Sequence, residues 1–284
     1  MTAKIIDGLA VSNHLKNNLK NEISGLVAKG VIPCLATILV GSDPPSLVYV
    51  NNKQKDANSI GIRTLDYRFD RNISQNDLIR LIEKLNMDST VHGILIQLPL
   101  PDHLDQYHVI NMVDPKKDVD GLTFTNSGLL LNNKTNLIPC TPLGIMELFR
   151  FYEIQLDGTN ALIVNRSNLV GKPLASLLLS KNSTVTISHS HTKNLQFFSQ
   201  NADIIVTAVG NRDSFVLTPD MVKYGVTIVD VGTNRLDGKL CGDVDFEMVK
   251  EKASYITPVP GGVGPMTICM LLRNTVEASK AYTK

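Results

Sequence analysis

Six short apolar runs punctuate the chain: CLATILVG (34–41), GILIQLPLP (93–101), NALIVN (160–165), TVTIS (184–188), ADIIVTAVG (202–210) and GVTIVDVG (225–232). Each is strand-sized, rich in β-branched residues and closed by a glycine, proline or polar turn residue, and most are too continuously apolar to leave one face in water. Between them lie stretches with helical spacing, such as NDLIRLIEKLN (76–86). Strands buried on both faces and separated by helices predict parallel sheets with crossover helices, an α/β fold.

A chain of 284 residues, 43% hydrophobic and 19% charged, has enough core-forming material for two such domains. The stretch from Pro115 to Pro142 is loop-rich, with KKDVDG, NNKTN and a Pro-Cys-Thr-Pro turn, and TPLGIMELFRFY then predicts a helix with Thr141 as its N-cap. The expected boundary therefore falls there. Residues 1–140 with 266–284 form an N-terminal α/β domain, and 141–265 form a Rossmann-like parallel-sheet domain. The glycine-rich turn GGVGPMT feeds an amphipathic helix from about Met266, expected to pack back on the first domain. At the other end, Leu15, Leu19, Ile23 and Val27 recur every fourth residue between Asp7 and Gly30 and predict one helix with a buried stripe.

Twenty-eight basic and twenty-seven acidic residues leave a net charge of +1, with no basic run to suit nucleic acid or a membrane surface, so a small molecule is the expected partner. Cys34, Cys140, Cys241 and Cys269 are widely spaced without a CxxC pair, which disfavours a metal site or a disulfide framework and suits a reducing cytoplasm. The N-terminus carries no apolar signal core.

Chemistry concentrates in a few places. In SLVYVNNKQK (46–55), after the Ser42-Asp43-Pro44-Pro45 turn, a helix would place Tyr49 and Lys53 on one face. Alone, that pair reads as a solvated surface. Strand NALIVN, the turn Arg166–Pro173 and the helical LASLLL together form a strand-turn-helix unit whose free N–H groups could face a phosphate. As a dinucleotide fingerprint it is poor, with Asn165, Ser167 and Val170 at the glycine positions. The next strand ends in Ser188-His189-Ser190-His191-Thr192, where an NAD site would carry an acidic residue; hydroxyl and imidazole groups, with Arg166 in the preceding turn, favour a 2′-phosphate and hence NADP.

TVTISHSHT, ADIIVTAVG, VDVG, GDVDF and TPVPGGVGPMT, with YVNNKQK, GILIQLPLP, PKKDVDG and PCTP, resemble, in order and over nearly the whole chain, the bifunctional methylenetetrahydrofolate dehydrogenase/methenyltetrahydrofolate cyclohydrolase family. The resemblance implies a folate in an interdomain cleft and NADP on the second domain. It implies oxidation of 5,10-methylenetetrahydrofolate, hydrolysis of the product to 10-formyltetrahydrofolate, and a homodimer. By the same resemblance Tyr49 packs on the folate rings, Lys53 carries the cyclohydrolase chemistry with Gln97 bonded to it, and Asp120 accepts from the pterin. Pro260, Gly261 and Gly262 approach the substrate, and Asn165, Arg166, Ser167, Ser190 and Thr233 contact the cofactor.

Gln97 closes strand GILIQ, at the carboxyl end where α/β sheets place ligands, and the glycines of TPVPGGVGPMT would let backbone approach a planar ligand. The sequence departs from the family at Asn165, usually glycine, and at Ser188 and His191, usually cysteine and a basic residue. Asn165 is expected to keep the turn by tolerating left-handed backbone angles. A shikimate-dehydrogenase-like oxidoreductase and a non-catalytic folate binder are the alternatives, and Tyr49, Lys53, Gln97, Asp120 and PGGVGPMT argue against them.

Overall fold

The computed structural model describes residues 2–135 and 137–283; Met1, Asn136 and Lys284 lie outside the described residues, and with them the last residue of the expected NNKTN loop. In chain order the elements are β1 (Lys4–Ile5), α1 (Gly8–Ala28), β2 (Cys34–Val40), α2 (Pro44–Ser59), β3 (Arg63–Phe69), α3 (Gln75–Met87), β4 (Gly93–Ile96), α4 (Gln106–Asn111), α5 (Phe124–Leu131) and α6 (Cys140–Phe151). They continue with β5 (Asn160–Val164), α7 (Gly171–Leu179), β6 (Thr184–Ser188), α8 (Leu195–Asn201), β7 (Ile204–Thr207), β8 (Thr227–Asp230), β9 (Asn234–Leu236), β10 (Lys239–Cys241), α9 (Phe246–Val249), β11 (Tyr255–Ile256) and α10 (Val263–Lys280).

The chain divides into two compact units. One holds His14–Cys140 with Ile268–Lys284, the other Met1–Asn13 with Thr141–Thr267. In the first, a parallel sheet runs in the order β3-β2-β4. All of β2 is buried, and its Cys34, Ala36, Ile38 and Val40 pack with Ile94, Ile96 and the Leu78, Ile82, Leu85 stripe of α3. Burying each of those large side chains contributes about 1.5–3 kcal/mol relative to leaving it in water. Helix α3 begins where Ser74 accepts a bond from Asp77 N, which fixes the phase of that stripe.

In the other unit six parallel strands run β1-β11-β8-β7-β5-β6. Leu162, Val164, Ile205, Ile228 and Ile256 form its core with Val222, Val244 and Val249. Here the N-terminus departs from the sequence expectation, because β1 joins this sheet beside β11, with Lys4 N donating to Ser254 O and Ile6 N to Ile256 O. A two-residue strand is too short to show an alternating side-chain pattern in the sequence.

Other differences have local causes. Helix α2 starts at Pro44, because Asp43 caps it by accepting from Ser46 N and proline suits a first turn, so the expected turn is a helix start. Helix α6 starts at Cys140, which places Thr141 inside the helix instead of at its cap; its hydroxyl bonds that of Thr267. Helix α10 starts at Val263, three residues before Met266. The loop-rich segment holds α5, capped by Thr123 accepting from Asn126 N. In α1 the stripe ends on Leu26 while Val27 is exposed, since every-fourth spacing drifts off a 3.6-residue turn.

The turn from β5 to α7 is not the open phosphate cradle that its sequence suggested. Asn165 Oδ1 accepts from Ser167 N at 2.8 Å and Gly171 N at 3.0 Å, its Nδ2 donates to Ala208 O at 2.6 Å, and Ser167 Oγ takes Val170 N. The residue is absent from the left-handed region, so Asn165 is there for its side chain and not for backbone tolerance. Replacing Asn165 with alanine leaves these groups without their partner and is expected to lower stability by about 1–3 kcal/mol. Asn165→Asp, which keeps the acceptor, should lose less; urea unfolding of both variants checks the order.

Candidate active site

Helix α2 carries Tyr49 and Lys53 one turn apart, and their environment is no solvated face. Lys53 is 7% exposed, and its Nζ donates to Gln97 Oε1 at 3.0 Å and lies 5.0 Å from the centroid of the Tyr49 ring, which remains 38% exposed. Gln97 is held where β4 ends, with its N–H on Ile38 O and its Nε2 on Leu98 O at 2.8 Å. A backbone carbonyl can only accept, so the Nε2 end must face Leu98 and the Oε1 end is presented to Lys53. Burial pushes the Lys53 amine below its usual range, partly offset by the nearby Asp120 carboxylate. Asp120 moves the other way: burial raises its carboxyl, opposed chiefly by the Lys53 charge. Tyr49, Lys53, Gln97 and Asp120 are thus gathered within one unit.

The loop bearing Asp120 is rigidly built. Asp118, the neighbouring carboxylate of the KDVDG stretch, accepts from Leu122 N, Thr123 N and Asn126 Nδ2, while the buried Lys117 ammonium donates to Leu85 O and Asp88 O at the end of α3. Those side chains face the protein, and Asp120 is the half-buried one left over. Cys140, for which the sequence reading assigned no role, joins this cluster. Its buried thiol donates to Val119 O at 3.4 Å, and burial, helped by the nearby Asp120 charge, raises it well above the ordinary thiol range.

In the second unit the in-register pairing of Val164 with Ser188 puts Arg166 and Ser190 each two residues beyond neighbouring strand ends, both exposed. The Arg166 charge, after burial, helps to depress His189. Ser188 is excluded from this group because its hydroxyl is buried on Ile163 O. The turn that follows is self-bonded, His189 N on Thr192 Oγ1 and His191 N on His189 Nδ1. Ser167 sits in the turn described above, and Thr233 is exposed just after β8.

Two buried carboxylates shape the adjoining loops. Asp243 accepts from Val209 N, Gly210 N and Asn234 Nδ2, and Asp230, pushed up to about 6 by burial, accepts from Gly232 N, Asp243 N, Val244 N and the Thr207 hydroxyl. Both aspartates stood in the sequence inside VDVG and GDVDF, but nothing in their spacing revealed which backbone groups they would collect.

Pro260 is exposed and Gly261 has a φ of +103°. Gly262 has a packing reason that the sequence concealed. A Cβ there would lie 2.5 Å from Pro258 O, and one on Gly8 would lie 1.8 Å from Gly262 O, so the bare backbone admits α1. All four cysteines are free, and no helix among the described residues is long and apolar enough to cross a membrane.

Two family models match the chain: the tetrahydrofolate dehydrogenase/cyclohydrolase catalytic domain over residues 6–120 and the NAD(P)-binding domain of the same family over residues 139–283. The bifunctional protein FolD of Nitrosopumilus maritimus is 51% identical, the match covering 98% of this chain and 97% of that protein. Among solved structures, the FolD methylenetetrahydrofolate dehydrogenase/cyclohydrolase of Campylobacter jejuni superimposes with a TM-score of 0.96 at 48% identity, covering 99% of each chain. The Trypanosoma brucei FolD, complexed with NADP cofactor and inhibitor, does so at 0.94 and 35% identity, over 100% of this chain and 99% of that one. With the KDVDG loop, the Tyr49–Lys53–Gln97 cluster and both family models in place, the chain belongs to the tetrahydrofolate dehydrogenase/cyclohydrolase family.

Proposed function

We propose that the chain oxidises 5,10-methylenetetrahydrofolate with NADP+ and hydrolyses the resulting 5,10-methenyltetrahydrofolate to 10-formyltetrahydrofolate, in one-carbon metabolism. The observation that carries the reading is the buried Lys53 amine, hydrogen-bonded to Gln97 beside the open Tyr49 ring. Tyr49 offers a flat face to the folate ring system, and Asp120 offers acceptors to pterin N–H groups. Pro260, Gly261 and Gly262 are further substrate contacts on the strength of the resemblance.

NADP+, when bound, accepts the hydride that leaves the methylene carbon. Arg166 and Ser190 are free to meet its 2′-phosphate, and no acidic residue stands on that strand end to repel it. Since Asn165 already occupies the Ser167 and Gly171 N–H groups, recognition by Arg166, Ser167, Ser190 and Thr233 rests on side chains more than on a helix start.

In the second reaction water adds to the methenyl carbon and a proton passes to Lys53 Nζ. The C–N5 bond then breaks as the remaining hydroxyl proton moves to N5. Burial readies the amine for this by disfavouring its charged form, and a cationic substrate disfavours that form further. The family resemblance also carries a homodimer working in the cytosol, with the assembly open to test by sedimentation velocity.

Three outcomes are expected. Lys53→Met keeps the stem's bulk and removes the amine, so methenyltetrahydrofolate hydrolysis should fall by roughly 10²–10⁴ while folate still binds and hydride transfer suffers less. A variant hydrolysing at the wild-type rate returns Lys53 to a structural role. The reactive base is the unprotonated amine of a group whose pKa is lowered, so cyclohydrolase kcat should climb with pH and level off below 10.5, the ordinary lysine value. Arg166→Ala should weaken NADP+ about ten- to a hundredfold and NAD+ far less, as expected for loss of a charge-assisted bond. An unchanged NADP+/NAD+ ratio in binding titrations overturns that assignment.

A further inference from the structure

The loop that presents Asp120 is tied down by a residue far away in the chain. Asn274, on α10, is 1% exposed, and its Nδ2 donates at 2.8 Å to Val119 O and at 2.8 Å to Ile138 O, with Cys140 Sγ at 3.8 Å. An amide NH2 has two protons, so each carbonyl receives one. The two accepting strands of chain are the Asp120 loop and the segment entering α6, and they lie against each other closely. A Cβ on Gly121, whose φ is +67°, would meet Leu137 O at 2.8 Å, Pro139 N at 2.8 Å and Ile138 C at 2.9 Å. Asp120 therefore sits between a residue whose carbonyl Asn274 holds and a residue whose backbone is pressed on the segment that Asn274 also holds. The Cys140 thiol, on Val119 O, closes the same seam.

We infer that Asn274 is a positioning residue for Asp120: by donating one amide proton to each side of the Val119–Ile138 seam it sets where the Asp120 carboxylate stands for the folate. The inference rests on the proposed role of Asp120. Asn274 is buried with its Nδ2 on backbone carbonyls, and its influence runs through the backbone of residues 119–121. Leucine at 274 would fill a similar volume while removing the amide donor from Ile138 O and leaving Val119 O with only the weak Cys140 thiol, a loss that a protein relieves by moving the loop.

The test is a double-mutant cycle of Asn274→Leu and Asp120→Asn, read as KM for the folate in both reactions and as Kd for NADP+. Asn274→Leu should raise the folate KM about tenfold in both reactions, with NADP+ affinity unchanged. Added to Asp120→Asn it should raise KM by less than twofold more, because the carboxylate it positions is already gone. Gly121→Ala, which spreads the same seam, should reproduce the rise. If Asp120→Asn leaves the folate KM unchanged, the Asp120 reading falls and this inference with it. If Asp120→Asn raises KM but Asn274→Leu does not, or multiplies in full on the double variant, the Asp120 reading stands and the positioning role is wrong. Should Asn274→Leu not fold, Asn274→Ser, with a single donor, enters the same cycle with an intermediate rise expected and the same two overturning results.

Discussion

A lysine amine with 7% exposure must find an acceptor or lose its charge, and around Lys53 the fold provides for both outcomes. Gln97 offers one oxygen, fixed in direction because its nitrogen is committed to Leu98 O, and the Tyr49 ring lies 5.0 Å from the ammonium. Among the described contacts no carboxylate forms a close ion pair with Lys53; Asp120 acts on it only as a nearby charge. A close pair would hold the amine protonated. A neutral amide can accept from either NH3+ or NH2 and holds the proton less firmly than a carboxylate would, which is the property a general base needs.

The surrounding loops obey one constraint throughout. Loops at the carboxyl ends of strands carry function, yet their buried backbone groups still require partners. Here single polar side chains collect them: Asp118 for residues 122 and 123, Asn274 for 119 and 138, Asn165 for 167, 171 and 208, Asp243 for 209 and 210. Each collector is at least partly buried, and each joins stretches of chain that regular hydrogen bonding leaves unpaired. The residues proposed to meet ligands, such as Tyr49, Arg166, Ser190 and Thr233, are exposed by contrast, and their neighbours do the holding.

Asn165 shows how a departure from a family pattern is read differently with and without coordinates. Sequence suggests a glycine substitute chosen for backbone angles, whereas the structure gives a three-bond organiser that consumes the donors a phosphate would otherwise find. Gly262 adds a packing reason of its own, since a Cβ there would meet Pro258 O and Thr257 Cβ within its own turn, and the bare Gly8 of α1 lies against its carbonyl.

Much was legible from periodicity and motif. The six apolar runs contain β2, β4, β5, β6, β7 and β8; all but the half-exposed edge strand β6 are buried almost throughout, which demands continuous apolar sequence. The one-turn spacing of Tyr49 and Lys53 is a property of the helix itself, and the same-edge placement of Arg166 and Ser190 follows from parallel register. Strand β1, helix α5 and the early start of α10 were hidden, being too short or too dependent on distant backbone partners to leave a pattern. Asn274 left only a faint mark, a polar residue on the buried side of α10 near Met270, Leu271 and Ala278. Its two acceptors lie 155 and 136 residues away, and Asp243 likewise reaches 34 residues back to Val209. Sequence determines which side chains a local element presents together, because helix and strand geometry are short-ranged; which distant carbonyl or amide each polar side chain satisfies is decided only when tertiary packing brings the loops side by side.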